Sequence, residues 1–398
     1  MYELESKKKS GGRLTILDGL FVFFCLMPFL IPNPVIVTNI QPYAAMFGTL
    51  IVFGQRVWRF KTFSYEPVAL ATFVVAVFVL LLGQINMSAF RAVYNYYAVV
   101  IVPWAAILLV RKLGGYPERL VKTLILVWFA VATVQIFVYR GFMTQLIGGV
   151  RWSEGYRGVV GLASEPSFLG VACFFFLHMV QQFKTKRGLF TILVLVMGMM
   201  YAQSAMGILF IAGFAAVYLL EVAEGWKGIA IWIAAVLAVV VFLGLLDTVI
   251  ANTRMSEIYH DFMDGGMDEI SEDVSAGNRM DSISEALSNA FNNFLLPLGF
   301  QRRIGSGYGG FLCELGFFAI PIMIWISRGM SLTFKKKHCR ALYFIVVTIL
   351  LFNNTQIGNP MMLFLIGANI AIREKEAADA KNVVPEIGDG IVRERGAL

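Results

Sequence analysis

Residues 149–170 read GVRWSEGYRGVVGLASEPSFLG, a polar stretch in an otherwise apolar chain. Its first half alternates two arginines with two aromatic residues, namely Arg151, Trp152, Tyr156 and Arg157. The stretch runs directly into a new hydrophobic segment, which predicts a loop at the membrane surface followed by a membrane helix. Arginine at such a place serves either as an interfacial anchor or as a binding group, and the residues alone leave both interpretations open.

Glu165 stands at the start of that membrane helix, and Pro166 occupies the first-turn position that proline tolerates best. An ionisable residue at the end of a membrane helix needs water or a partner, so Glu165 is a candidate functional residue. The alternative is a helix cap, in which the side chain of Glu165 accepts first-turn N–H groups.

The composition is that of a membrane protein. Hydrophobic residues make up 58% and charged residues 15% of the chain, against roughly 25% charged residues in soluble domains, and the mean hydropathy is +0.72. Apolar runs of ~17–20 residues recur along the chain, and each is long enough to cross a bilayer as a helix. We therefore expect an all-α polytopic membrane protein with about twelve transmembrane helices. The predicted spans are about 14–31, 36–53, 67–84, 92–110, 120–139, 166–182, 188–201, 204–220, 228–247, 309–327, 341–354 and 359–372.

The chain contains 4 cysteines and 3 histidines, and their spacing does not resemble a metal site. Motifs that bind nucleotide phosphates or dinucleotides are not apparent either. We therefore expect neither a cofactor nor a metal, and no nucleic-acid partner.

Lysine and arginine are distributed unequally between the two sides of the predicted membrane domain. If both termini are cytoplasmic, 25 of the 33 basic residues face the cytoplasm, as the positive-inside rule requires. The remaining eight are all arginine, and the guanidinium fork binds phosphate through two parallel hydrogen bonds. The outer arginines are Arg91, Arg140, Arg151, Arg157, Arg254, Arg279, Arg302 and Arg303.

Two outer loops, 140–165 and 248–308, are long enough to suggest a function. The second loop contains apolar residues at helical spacing, which predict an amphipathic helix on the membrane surface or over a cavity, with Asn278 as its N-cap. These apolar positions are Met280, Ile283, Ala286, Leu287, Ala290, Phe291 and Phe294. Residues 1–372 are expected to form a single transmembrane domain, followed by a disordered cytoplasmic tail, 373–398.

Two regions resemble a known group of enzymes. Residues 161–170, whose core reads SEPS, look like a segment that recurs in bacterial O-antigen and exopolysaccharide polymerases of the Wzy type. GNR at 277–279, PLG at 297–299, GYGG at 307–310 and ELG at 314–316 are similar to the large outer loop of the wider O-antigen polymerase and ligase superfamily.

The resemblance implies a C-type membrane glycosyltransferase that needs neither a nucleotide sugar nor a metal. Such a polymerase transfers a growing glycan from undecaprenyl pyrophosphate to a fresh lipid-linked repeat unit on the periplasmic face of the inner membrane. Its implied partners are the lipid-linked oligosaccharide, the bilayer and a chain-length regulator protein.

The residues fit this chemistry in three groups. Without a metal, arginine must stabilise the pyrophosphate leaving group, and a carboxylate near the arginines can act as the base for the acceptor hydroxyl. The expected pyrophosphate-binding residues are Arg157, Arg279 and Arg303, then Arg151 and Arg302. The expected catalytic carboxylates are Glu165 and Glu154. The aromatic residues expected to stack on sugars are Trp152, Tyr156 and Tyr308.

Three other functions remain open, and one of them, a peptidoglycan-type polymerase, fits the span count and the loop motifs less well. O-antigen ligases of this superfamily carry a histidine just before the tenth span, but residues 307–310 contain none and His260 lies too far upstream. This difference favours the polymerase. A flippase for lipid-linked oligosaccharides also needs arginines, but it should place charge near the middle of the membrane, where this chain is nearly uncharged.

Overall fold

A computed structural model describes most of the chain. Apart from a single antiparallel bridge between Leu30 and Ile147, its regular structure within the described residues is helical, which confirms the all-α class. The described residues are 12–31, 40–54, 66–83, 87–150, 158–222, 274–300, 307–353 and 356–383. The predicted span 228–247 and the last part of the predicted tail, 384–398, lie outside them.

The described helices overlap the predicted spans, but the second helix, Tyr43–Phe53, begins seven residues after its predicted start at 36, and the predicted span 309–327 is interrupted. α7 continues as a π-helical turn (Val196–Tyr201), and α10 and α11 are joined by a 3₁₀ turn (Gly316–Phe318). The helices are α1 (Ile16–Leu26), α2 (Tyr43–Phe53), α3 (Glu66–Leu82), α4 (Met87–Leu113), α5 (Glu118–Phe137), α6 (Pro166–Val180), α7 (Arg187–Leu195), α8 (Ala205–Val222), α9 (Val274–Asn292), α10 (Gly307–Leu315), α11 (Ala319–Ser331), α12 (Lys337–Leu350) and α13 (Pro360–Val383).

Four helical segments are long and apolar enough to cross a membrane. They are Ala89–Leu113, Glu118–Phe137, Ala205–Val222 and Gly307–Ser331. Several other apolar helices are shorter, among them α1, α2 and α6. The chain is therefore compatible with a polytopic membrane protein, while the number of spans stays a prediction.

Basic residues collect at one end of the helix bundle, which we call the basic end. Ion pairs and hydrogen bonds tie the helix termini together there, and basic residues that were predicted to share one side of the membrane take part. The links include Lys112–Asp18 between α4 and α1, Arg111–Glu374 between α4 and α13, Glu118–Lys184 between α5 and the end of α6, and Glu221–Lys335 between α8 and the end of α11.

The opposite end, which we call the loop end, is built from irregular backbone. Several helices stop short there, and the connecting segments bind one another through backbone hydrogen bonds. These bonds join Gly148 N to Phe29 O (3.2 Å), Val159 N to Tyr201 O (2.8 Å) and Tyr308 N to Leu351 O (2.9 Å). Irregular backbone is tolerated at membrane depth only where protein buries it or where it lines a wet cavity.

α6 lies in the middle of the core. Every residue from Leu169 to Val180 is buried, and α6 crosses α8 so closely that a Cβ atom on Gly170 would lie 2.6 Å from the Cα atom of Gly207. Within α6, His178 hydrogen-bonds through its two ring nitrogens to Thr333 and Tyr343. This histidine is therefore a packed core residue.

Two further predicted boundaries are wrong. α9 begins at Val274, so Asn278 lies inside the helix and is not its N-cap. α13 continues to Val383, eleven residues beyond the predicted end of the last span, so the first part of the predicted disordered tail is helical. The amphipathic helix itself is confirmed, and Ala286 and Ala290 face the core with no exposure.

Candidate functional site

The segment that leads into α6 is buried inside the bundle. Residues 158–164 are all buried, contrary to the prediction of a surface loop over this part of the stretch. Gly158 permits this path, since a Cβ atom there would lie 2.3 Å from the carbonyl oxygens of both Tyr201 and Ala202. The segment is therefore held against the π-helical turn at the end of α7.

Gln135 of α5 clamps the same segment through its side-chain amide. Its Oε1 accepts a hydrogen bond from Gly161 N (2.7 Å), and its Nε2 donates to Gly161 O (2.8 Å) and to Phe142 O (2.8 Å). Gly161 has a φ of +58°, a conformation that favours glycine. The sequence analysis missed Gln135, although an amide inside an apolar span is a signal that could have identified it.

Glu165 occupies the N-cap position of α6 in extended backbone, as the sequence predicted. Its carbonyl oxygen accepts hydrogen bonds from the amides of Phe168 and Leu169, both at 3.1 Å. Its carboxylate makes no capping hydrogen bond, but Oε2 accepts one from the hydroxyl of Ser167 at 3.2 Å. The alternative that the Glu165 side chain caps the helix is therefore wrong, and the carboxylate is half-buried.

Ser164 immediately precedes Glu165 and is completely buried. Its hydroxyl has no hydrogen-bond partner among the described residues. A buried hydroxyl without a partner is costly to keep. The start of α6 thus combines a half-buried carboxylate, an unsatisfied hydroxyl and the positive end of a helix dipole.

A second polar position lies where the helix is broken between α10 and α11. Gly316 has a φ of +59°, and a Cβ atom there would lie 2.1 Å from Leu295 O. The last carbonyls of α10 are satisfied from outside the helix, because Leu298 N donates to Cys313 O (2.9 Å) and Gly299 N donates to Glu314 O (3.2 Å). The segment before α10 therefore caps the end of the same helix.

Glu314 lies just before this break, seven residues after Gly307, or about 10 Å along the helix axis. Its carboxylate accepts a hydrogen bond of 2.6 Å from the hydroxyl of Tyr96 in α4. The Tyr96 ring is buried and stacks on Phe311, with ring centroids 5.0 Å apart. Glu314 lies in the ELG motif at 314–316, but Tyr96 was not predicted, because a tyrosine in an aromatic-rich helix gives no distinct signal.

Most of the other predicted site residues lie outside the described residues. They are Arg151, Trp152, Glu154, Tyr156, Arg157, Arg302 and Arg303. Arg279 belongs to α9. α9 packs against α10, where Cys313 Sγ donates to Ala286 O.

Tyr308 is fully buried, and its hydroxyl lies 3.0 Å from Met323 O and 2.9 Å from Ser327 Oγ. Its ring has no exposed face, so this geometry does not support the predicted sugar contact. Within the described part of the chain, no three His, Cys, Asp or Glu side chains are grouped so that they could hold a metal ion.

Neither a protein-family model nor a curated protein matches this chain.

Proposed function

We propose that this protein is a metal-independent membrane glycosyltransferase, a polysaccharide polymerase of the Wzy type that works at the loop end of the bundle. The observation that carries the proposal is the state of Glu165. Its carboxylate is half-buried, does not cap α6 and follows a buried segment that Gln135 fixes in place. An enzyme needs such rigid support for a group that acts on substrate.

The proposed reaction joins two lipid-linked glycans. The acceptor hydroxyl forms a bond to the anomeric carbon of the donor sugar, and the bond from that carbon to the undecaprenyl pyrophosphate oxygen breaks. Glu165 accepts the hydroxyl proton, with Glu154 as the other candidate base. The pyrophosphate leaves with its negative charge stabilised by arginines of the outer loops, first Arg157, Arg279 and Arg303.

The proposed orientation places the basic end in the cytoplasm and the loop end in the periplasm of a bacterial inner membrane. It follows from the collection of basic residues at one end. The lipid-linked substrate then reaches the site sideways from the bilayer, and a chain-length regulator is the expected protein partner.

Polymer formation from a defined lipid-linked repeat unit tests the proposal, with the protein in native membranes at matched levels. Glu165→Gln keeps the shape but loses the basicity, so we expect a loss of about 10²-fold or more in rate. Glu374→Gln at the basic end is the matched control and should keep normal activity, because its ion pair with Arg111 is partly exposed and far from the site.

Three outcomes would contradict the proposal. Near-normal turnover by Glu165→Gln removes Glu165 as the base and makes Glu154 the next residue to test. Transfer of glycan to an acceptor lipid, without growth of the chain, identifies a ligase. Movement of the repeat unit across the bilayer without any new glycosidic bond identifies a flippase.

A further inference from the structure

A cleft of about 750 Å³ opens at the basic end, away from Glu165 and the proposed reaction. It lies between the turn that joins α6 to α7, the turn that joins α11 to α12, and the extension of α13 beyond its predicted span. Part of its lining is apolar, from Val110, Phe183, Ala371 and Ile372. The size suits a small ligand or a lipid headgroup.

Part of the cleft is basic, and two of its lysines have ammonium groups that are not engaged, unlike Arg111, which pairs with Glu374. The exposed side chains of Lys184 and Lys335 line this part. The nearby carboxylates bind the backbone amides of these lysines, since Glu118 accepts from Lys184 N at 3.1 Å and Glu221 accepts from Lys335 N at 2.7 Å. Neither ammonium group has a partner among the described residues, so both remain available to an anion.

Arg187 also lines the cleft and is held in a fixed position. Its guanidinium donates to the side-chain oxygen of Gln181 and to the hydroxyl of Tyr218 at 3.0 Å, and it lies 5.5 Å from the centre of the Tyr218 ring. This arginine therefore adds positive potential to the cleft without being free to swing away.

The extension of α13 adds carboxylates to the lining, together with Lys375, whose ammonium group donates to Gly114 O at 2.6 Å. Glu376 and Asp379 lie three residues apart on one side of the helix. Glu376 is paired with Arg373, whose guanidinium also binds the carbonyl oxygens of Leu332 and Phe334. Asp379 is exposed and has no partner within the described part of the chain.

We propose that this cleft binds the phosphoethanolamine headgroup of a zwitterionic membrane lipid. The lipid phosphate lies between Lys184 and Lys335, its ammonium group pairs with Asp379, and its glycerol and upper acyl chains cover the apolar lining. A purely anionic headgroup leaves Asp379 facing like charge, and free phosphate makes no use of the apolar surface. The unpaired ammonium groups of Lys184 and Lys335, the unpaired carboxylate of Asp379 and the apolar lining together select the zwitterionic lipid.

Thermal unfolding of the purified, delipidated full-length protein in detergent provides the test. Short-chain phosphatidylethanolamine is titrated against short-chain phosphatidylglycerol and inorganic phosphate. We expect phosphatidylethanolamine to raise the unfolding midpoint at the lowest concentration. Lys184→Gln and Lys335→Gln should each weaken this effect roughly two- to five-fold, as expected for one partly exposed ion pair.

Asp379→Asn distinguishes the contribution of the lipid ammonium group from that of the lipid phosphate. It should weaken the effect of phosphatidylethanolamine by a similar factor and leave that of phosphatidylglycerol unchanged or stronger. Lys337→Gln is the matched control, because Lys337 is exposed at the same end but does not line the cleft. Each variant must match the wild type in unfolding midpoint without lipid before it is titrated.

Several results would overturn the proposal. Equal midpoint shifts with inorganic phosphate and phosphatidylethanolamine would indicate an anion site only. Stronger stabilisation by phosphatidylglycerol that Asp379→Asn does not change would indicate an anionic lipid. If Lys337→Gln and Lys184→Gln weaken the effect of the lipid equally, Lys184 contributes only general surface charge and does not bind the headgroup. None of these results bears on polymer formation, so the proposed function is tested separately.

Discussion

Single polar side chains hold the irregular backbone of this apolar bundle in place. Gln135 satisfies both the amide and the carbonyl of Gly161, which could not pair within a helix. Tyr96 donates its hydroxyl to Glu314 at the break before α11. Because unpaired polar groups are costly away from water, each of these contacts fixes a local geometry more strongly than an apolar contact of the same size.

The Gln135 clamp predicts a loss of both stability and activity on substitution. Gln135→Leu leaves two buried backbone groups of Gly161 unsatisfied, at a cost of about 1–3 kcal/mol each. The segment before Glu165 then loses its support, so polymer formation should fall further than the loss of folded protein explains. Thermal unfolding in detergent and polymer yield per folded molecule measure the two effects. Unchanged stability in Gln135→Leu would show that the clamp is dispensable.

The Tyr96–Glu314 pair predicts strong coupling between two helices. Hydrogen bonds to charged groups contribute about 1.5–3 kcal/mol, so Tyr96→Phe and Glu314→Gln should each destabilise the protein by about this amount. The double variant should be little worse than the more damaging single variant. Tyr94→Phe is the control, because the Tyr94 hydroxyl binds the neutral carbonyl of Pro42 at 3.1 Å. Additive losses in the cycle would mean that the two side chains do not act as a pair.

At the scale of elements, local sequence predicted where the helices lie but not where they break. α5 and α6 were predicted to begin within two residues of their observed starts, since apolar runs and a first-turn proline are local signals. The break at Gly316 and the buried path of residues 158–164 depend on contacts with Leu295, Tyr201 and Ala202. Such contacts between segments distant in the chain leave no local signal, so these features could not be predicted.

The crossing of α6 and α8 predicts an unequal response to alanine at two glycines. Gly170→Ala places a Cβ atom 2.6 Å from backbone, so the helices must move apart at a cost of about 1–3 kcal/mol. Gly188→Ala in α7 is the control, because nothing lies within 4 Å of its new Cβ atom and alanine favours a helix over glycine by about 1 kcal/mol. The midpoint of thermal unfolding should fall for Gly170→Ala and stay level or rise for Gly188→Ala. Equal midpoints would mean that the two helices pack less closely than described.

At the scale of the whole molecule, the two ends of the bundle are built differently. Charged side chains join helix termini at the basic end, whereas backbone hydrogen bonds between connecting segments dominate the loop end. The distribution of lysine and arginine along the sequence predicted a candidate site in the outer loops, because this distribution can be read without knowing any contact between helices. The sequence could not show that Gln135 binds the backbone of Gly161 or that Glu314 pairs with Tyr96, because these contacts join residues far apart in the chain.

The difference between the basic end and the loop end predicts which end a reagent can reach from each side of the membrane. Tyr139 at the loop end is 65% exposed, and Lys186 at the basic end is also exposed, so a cysteine at either position is accessible to a reagent. The native cysteines Cys25, Cys173 and Cys313 are buried, as is Cys339, which keeps the background low. In intact spheroplasts, a membrane-impermeant maleimide should label Tyr139→Cys and leave Lys186→Cys unlabelled until the cells are lysed. Wild-type protein treated in the same way is the control. Labelling of Lys186→Cys before lysis, with Tyr139→Cys protected, would show that the orientation is the reverse of the proposed one. The carboxylates of the proposed site would then lie on the cytoplasmic side, where the proposed reaction does not occur.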